Sequence, residues 1–193
     1  MKSTKSALIL IAIIVIVSRV FFLDAGYGSE EDAWGVALTA KHIAQSGEYE
    51  ASRLPGHPLQ ELFYASIVSK TNAFGMNAAT AIFSLIATIF FFLILKKLNF
   101  NQPFLATIAF VFTPIIYMHS TDSMDYLWAL AFMMMSYYWL LNDKIIFAGM
   151  LLHKHYILQN NCAIIHGMDK GILNECISEQ TMYIMQFCVC KHV

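Results

Sequence analysis

Apolar residues run in long blocks along most of this chain, and the blocks predict helices of membrane length. Ala7 to Leu23 is apolar apart from Ser18 and Arg19, with Lys2 and Lys5 ahead of it. Phe74 to Leu95 carries no charge and stops at Lys96 and Lys97. Pro103 to His119 is shorter and holds Pro114, which predicts a kink that a membrane helix tolerates when its neighbours re-satisfy the backbone. Tyr126 to Leu141 is rich in Met and aromatic residues. A helix rises about 1.5 Å per residue and a bilayer core is about 30 Å thick, so all four blocks read as spans. A fifth block, IIFAGMLL from Ile145, breaks at His153-Lys154-His155 and is too short to cross. The predicted fold is therefore an all-α membrane protein with about four transmembrane helices. A signal peptide would have a shorter apolar core and a small-x-small end. Here Arg19, Phe21, Phe22 and Leu23 close the first block, which favours an uncleaved helix with Arg19 snorkelling to the headgroups.

Between the first two blocks lies a long loop with its own order. Ser29 stands three residues before Asp32, the spacing of a capping box with Asp in place of Glu. Ala33, Val36, Ala37, Ala40, Ile43 and Ala44 then share one helical face, and Gly47 is placed to end the helix. The pattern predicts an amphipathic helix over Glu30 to Ser46, lying on the membrane with its apolar face down. Glu30, Glu31 and Asp32 put three carboxylates at its N-terminus. Acids favour the positive end of a helix without any catalysis. Repulsion among three neighbours also raises a carboxyl pKa, which suits a general base. After the helix comes SRLPGHPLQE, where Pro55, Gly56 and Pro58 predict a rigid, non-helical course bearing Arg53 and His57. Arg53 is suited to bind a phosphate, or to pair with a nearby acid in a purely structural turn.

Basic residues set the expected orientation. Lys2, Lys5, Lys96, Lys97 and Lys144 fall on one side of the predicted spans. The loop from Asp24 to Ala73 has seven acids against three Lys and Arg, and the loop between the third and fourth spans has no Lys or Arg. This places the N-terminus in the cytoplasm and both acidic loops outside the plasma membrane. Composition agrees with a membrane chain: 58 % of the residues are hydrophobic, 13 % are charged, and the net charge is −1. No basic block exists, which argues against a nucleic-acid partner.

The short acidic loop reads HSTDSMD. Asp122 and Asp125 stand one helical turn apart, among His119, Ser120, Thr121 and Ser123. Oxygen-rich sets of this kind suit a divalent cation such as Mg or Mn. Alternatively, Asp122 caps the fourth span and Asp125 faces water. Two acidic loops on one face predict that they converge over a single site.

The order of these features resembles the GT-C superfamily of integral membrane glycosyltransferases, in its dolichyl-phosphate-mannose and aminoarabinose-transferase-like branches. The matching segments are EED followed by AWGVALTAKHIAQSGEY, then SRLPGHPLQE, a second span, and STDSMDYLWAL after the third. The resemblance covers roughly residues 7 to 152. It implies a polyprenyl-phosphate sugar donor and attack by an acceptor hydroxyl on the anomeric carbon, with inversion. Glu31 or Asp32 would be the base, and Asp122 and Asp125 would match an acidic second loop that helps hold a metal in some members. Arg53 and His57 are the candidates for contacting the substrate. The competing class is a non-catalytic small membrane protein, a transporter fragment or an assembly partner.

The last 41 residues differ in kind. Cys162, Cys176, Cys188 and Cys190 and four of the seven His lie after Leu152. No block of about 18 apolar residues follows. Residues 153–193 are expected to be an aberrant, frameshifted tail on the N-terminal part of a transferase, which would leave the product truncated and inactive. The Cys spacing does not make a zinc site, which needs pairs of ligands.

Overall fold

The computed structural model describes residues 4–52 and 57–159, with side chains described as far as Leu152. Arg53 and all four cysteines lie outside the described residues, as does the greater part of the expected tail. Among the described residues every regular element is helical. The order is α1 (Thr4–Arg19), a 3-10 turn (Val20–Phe22), α2 (Glu31–Ser46), α3 (Pro58–Lys97), α4 (Pro103–Val111), α5 (Pro114–His119), α6 (Tyr126–Leu140) and α7 (Ile145–Gln159).

Two of these helices are long and apolar enough to cross a membrane on their own. They are Thr4–Phe22, with its 3-10 extension, and Pro58–Lys97, with mean hydropathies of 2.3 and 2.5 in their best windows. The other two expected spans are shorter. The third is divided at Phe112 and Thr113, because Pro114 starts a new helix rather than bending an old one. The fourth keeps only 15 residues, and α7 continues helically past His153, where a break was expected.

α3 begins far earlier than the apolar pattern suggests. Pro58 is its first residue, so the proline that was read as part of a rigid turn instead opens a helix. Gln60, Glu61, Tyr64 and Val68 form its buried stripe before Asn72, whose φ of 50° and ψ of −140° kink the chain. Asn tolerates positive φ better than most residues. At the kink Thr71 folds against Gly75, where any added Cβ would overlap the Thr71 hydroxyl. The apolar block from Phe74 is the second limb.

α2 has the predicted span almost to the residue, and Gly47 closes it in the left-handed conformation while its N–H donates to the Ile43 carbonyl. Its start differs from expectation. Glu30 is the N-cap, and no side chain caps the helix there. Ala33, Val36, Ala37, Ala40 and Ile43 are buried, but against protein rather than lipid, and Ala44 is exposed. Val36, Ala37 and Ala40 pack with Tyr64, Val68, Met76 and Trp128 of α3 and α6. Phe83 of α3 stacks on Trp128 at 3.9 Å between ring centres.

Arg19 does not snorkel. It is 2 % exposed. One guanidinium nitrogen donates to the Val111 carbonyl at 2.8 Å, Nε donates to Ser120 Oγ at 3.1 Å, and the third nitrogen donates to Ser18 Oγ at 2.6 Å. The rings of Tyr117 and Phe112 lie 4.6 and 5.5 Å from its Cζ. The break before Pro114 leaves carbonyls at the end of α4 without helical donors, and Arg19 supplies one for Val111. Val15 and Ile11, one and two turns back along α1, pack with Phe92 and Val111.

Candidate functional site

Both acidic loops meet at one end of the bundle. The Ser123 N–H donates to the Tyr27 carbonyl at 2.8 Å, which ties the short loop to the long one. The Asn77 amide of α3 donates to the carbonyls of Leu23 and Gly26 at 3.0 and 2.6 Å. Gly28 completes the join. A Cβ on Gly28 would stand 2.9 Å from both the Ala33 and Asp122 Cβ atoms, and its φ of 135° is one that side chains rarely adopt. At the opposite end of the bundle Lys97 donates to Asn142 Oδ1 at 3.2 Å, so the basic loops also adjoin.

Of the three consecutive carboxylates, Glu30 reaches across to the second loop. Its Oε1 lies 3.7 Å from His119 Nε2. Glu31 and Asp32 occupy the first turn of α2 and are exposed. The capping-box reading made Ser29 the N-cap. Moving that position by one residue leaves Glu30 extended (φ −94°, ψ 145°) and turned across the loop.

His119 joins the two carboxylates. Its Nδ1 is 2.6 Å from Asp122 Oδ2. The Met124 N–H donates to Asp122 Oδ1 at 3.3 Å. Burial pushes the Asp122 carboxyl above its ordinary value. The hydrogen bond and charge of His119 and the Met124 N–H pull it back in part, and the nearby Glu30 pushes it up again. Asp122 thus neither caps α6 nor points the same way as Asp125. Residues 120–125 form turns instead of helix, so a spacing of three places the two carboxylates on different partners. Asp125 Oδ2 lies 3.3 Å from His57 Nδ1, and both side chains are buried. This pair links the N-cap of α3 to the N-cap of α6.

Among the described residues the donors around Asp122 and Asp125 do not make up a divalent-cation set. Mg and Mn take about six ligands, mostly oxygen. Among the described residues no three His, Cys, Asp or Glu side chains converge where a metal would sit.

Glu61 is a second buried carboxylate that the sequence reading passed over. The Ser52 hydroxyl and N–H donate to its Oε1 at 2.5 and 3.0 Å. The Tyr49 hydroxyl and the His57 N–H donate to Oε2 at 2.6 and 3.2 Å. Burial alone would push Glu61 up, but the donors from Ser52, Tyr49 and His57 outweigh it and hold the carboxyl below its ordinary value. Glu61 therefore folds the chain after α2 back onto the start of α3. The signal for it was present in Pro58-Leu-Gln-Glu61, a helix opening whose fourth residue is an acid able to reach the N-cap N–H.

An open cavity of about 370 Å³ lies between the loops, lined in part by Phe22, Ser29, Tyr117, Met118, Thr121 and Asp122. Phe22 of the 3-10 turn and Tyr117 and Met118 of α5 supply apolar wall, and Ser29, Thr121 and Asp122 supply polar wall. Compared with protein-family models, curated proteins and solved structures, the chain gives no match.

Proposed function

We propose that residues 7–152 of this chain form part of a membrane-embedded transferase of the GT-C type, resembling enzymes that move a sugar from a polyprenyl phosphate to an acceptor hydroxyl on the outer face of the plasma membrane. One observation supports the reading above the others: the two acidic loops close on each other around a cavity that bears a buried carboxylate. The separation of this end from the lysine-bearing end agrees with the orientation expected of such an enzyme. The reading also requires α4 to α6 to cross the membrane as packed neighbours of α1 and α3. In it, Glu31 or Asp32 supplies base chemistry from the first loop, and Arg53 and His57 contact the donor.

The test is transfer of radiolabelled sugar from a decaprenyl-phosphate hexose to octyl glucoside by membranes containing the chain. Transfer above that of control membranes would overturn the expectation of an inactive product and support the reading directly, and replacing Glu31 and Asp32 together with Ala should then reduce it at least tenfold. Complete lack of transfer by the unaltered chain would sink an active transferase. It would leave the second reading, a non-catalytic membrane partner, which the largely exposed apolar surface of α1 favours.

A further inference from the structure

We propose that the cleft between the first turns of α1 and α4 binds an anionic glycerophospholipid, drawn from the bilayer leaflet at the lysine-bearing end of the bundle. The proposal goes beyond the transferase reading and uses none of its residues. It needs only the membrane setting.

The cleft holds about 530 Å³ and is open on its outer side. Small-molecule sites commonly enclose about 300–1,000 Å³. Its lining is divided. Ser6, Asn101 and Gln102 are polar, and Leu10, Phe104 and Leu105 are apolar. On both helices the polar residues precede the apolar ones, so the polar part lies at the bundle end and the apolar part deeper. That is the order of headgroup and acyl chain in a leaflet. An acyl chain gains little by leaving other lipid, so the apolar part shapes the site and the polar part selects its occupant.

Charge makes the selection. Lys5 immediately precedes Ser6 and is exposed. The segments Thr4 to Leu10 and Lys96 to Leu105 contain Lys5, Lys96 and Lys97 and no acid. The start of α4 adds to this field. No side chain caps the helix at Gln102, and Pro103 has no N–H. Among the described residues the Ala106 N–H is the first of α4 to find a helical acceptor, the Gln102 carbonyl at 3.1 Å. The Phe104 and Leu105 N–H groups are therefore directed at whatever lies over the helix end. The apolar face of a neighbouring helix would cover these polar groups without pairing them. A phosphodiester offers acceptors to the hydroxyl, the amides and the lysine together. The cavity at the opposite end has Asp122 in its wall, and that carboxylate repels a phosphate.

The experiment places the full chain in phosphatidylcholine vesicles containing a small fraction of phosphatidylglycerol with a diazirine on its acyl chain. Illumination marks what the chain touches, and peptide mass spectrometry locates the mark. Ile146 of α7 is the control for bulk lipid, since it is 78 % exposed and lies at the same end. Label is expected to concentrate on the peptides bearing Leu10 and Leu105 over the one bearing Ile146. Unlabelled phosphatidylglycerol should compete saturably, while phosphatidylcholine and inorganic phosphate should not. Leu105→Trp fills the cleft from an exposed position and should remove the competable labelling, whereas Ile146→Trp should keep it. Lys5→Gln should lower the preference for phosphatidylglycerol over phosphatidylcholine about fivefold. Label that is absent from the cleft, equal at Ile146, or unchanged in Leu105→Trp overturns the proposal. Equal competition by phosphatidylcholine, or displacement by inorganic phosphate, overturns it as well. Sugar transfer is not read, so an inactive chain leaves this result standing and failed labelling leaves the transferase reading untouched.

Discussion

Glu61 and Asp122 are both buried carboxylates near the same end of the molecule, yet their surroundings oppose each other. Glu61 receives four donors, all from residues 49 to 57 of its own loop. It is saturated, and its work is to shape the chain. Among the described residues Asp122 receives one imidazole and one long backbone contact, and it also lines a cavity. Burial of an acid is thus not itself a mark of chemistry. The number of donors already committed, and what the free lone pairs face, separate a scaffold from a reactive group.

Four substitutions or conditions probe that contrast. The largest loss of stability is expected for Glu61→Ala, which strands four donors around an empty site and should cost about 3 kcal/mol. Thermal unfolding in detergent measures it, and a loss under 1 kcal/mol would show that the loop does not depend on Glu61. Gly28→Ala comes next, at about 2 kcal/mol, from the forced φ and the overlap with Ala33 and Asp122. It should also open the contact between the loops, read as faster amide exchange at Ser123.

Acid sharpens the comparison because the two carboxyls respond with opposite signs. The Glu61 carboxyl lies below the unfolded value of 4.5, so its contribution is present above that pH and is lost as pH falls through the folded pKa. The Asp122 carboxyl lies above its unfolded value of 3.8. Folding favours its protonated form, so that contribution is complete below pH 3.8 and is lost as pH rises through the folded pKa. Unfolding midpoints against pH should therefore lose their acid-side fall in Glu61→Gln and their upper-side fall in Asp122→Asn. Identical curves for the two variants would contradict the contrast. The smallest effect belongs to Ala44→Lys, within about 0.5 kcal/mol, because Ala44 is exposed at the end of an otherwise buried face.

Periodicity in the sequence located α2 and its buried stripe, because small apolar residues at helical spacing leave few alternatives. It did not reveal what the stripe packs on. An apolar face meets lipid or protein with similar favour, and only the kink at Asn72 brings the first limb of α3 beneath it. The convergence of the acidic loops was legible as a shared side of the predicted spans. The identity of the acid that crosses between them was not, since it turns on whether Ser29 or Glu30 is the N-cap, a difference of one residue. The pairing of Asp122 with His119 and of Asp125 with His57 was hidden for a related reason. A spacing of three implies a common face in a helix, whereas residues 120 to 125 form turns.

The buried guanidinium of Arg19 bears on how the molecule comes together. The Val111 carbonyl that it satisfies is 92 positions later in the chain. The break before Pro114 leaves that carbonyl without a helical donor, and a side chain of the first helix supplies it. One end of the chain thereby completes the backbone of a segment far along it, so a change at Arg19 is felt as a defect in a helix it does not belong to.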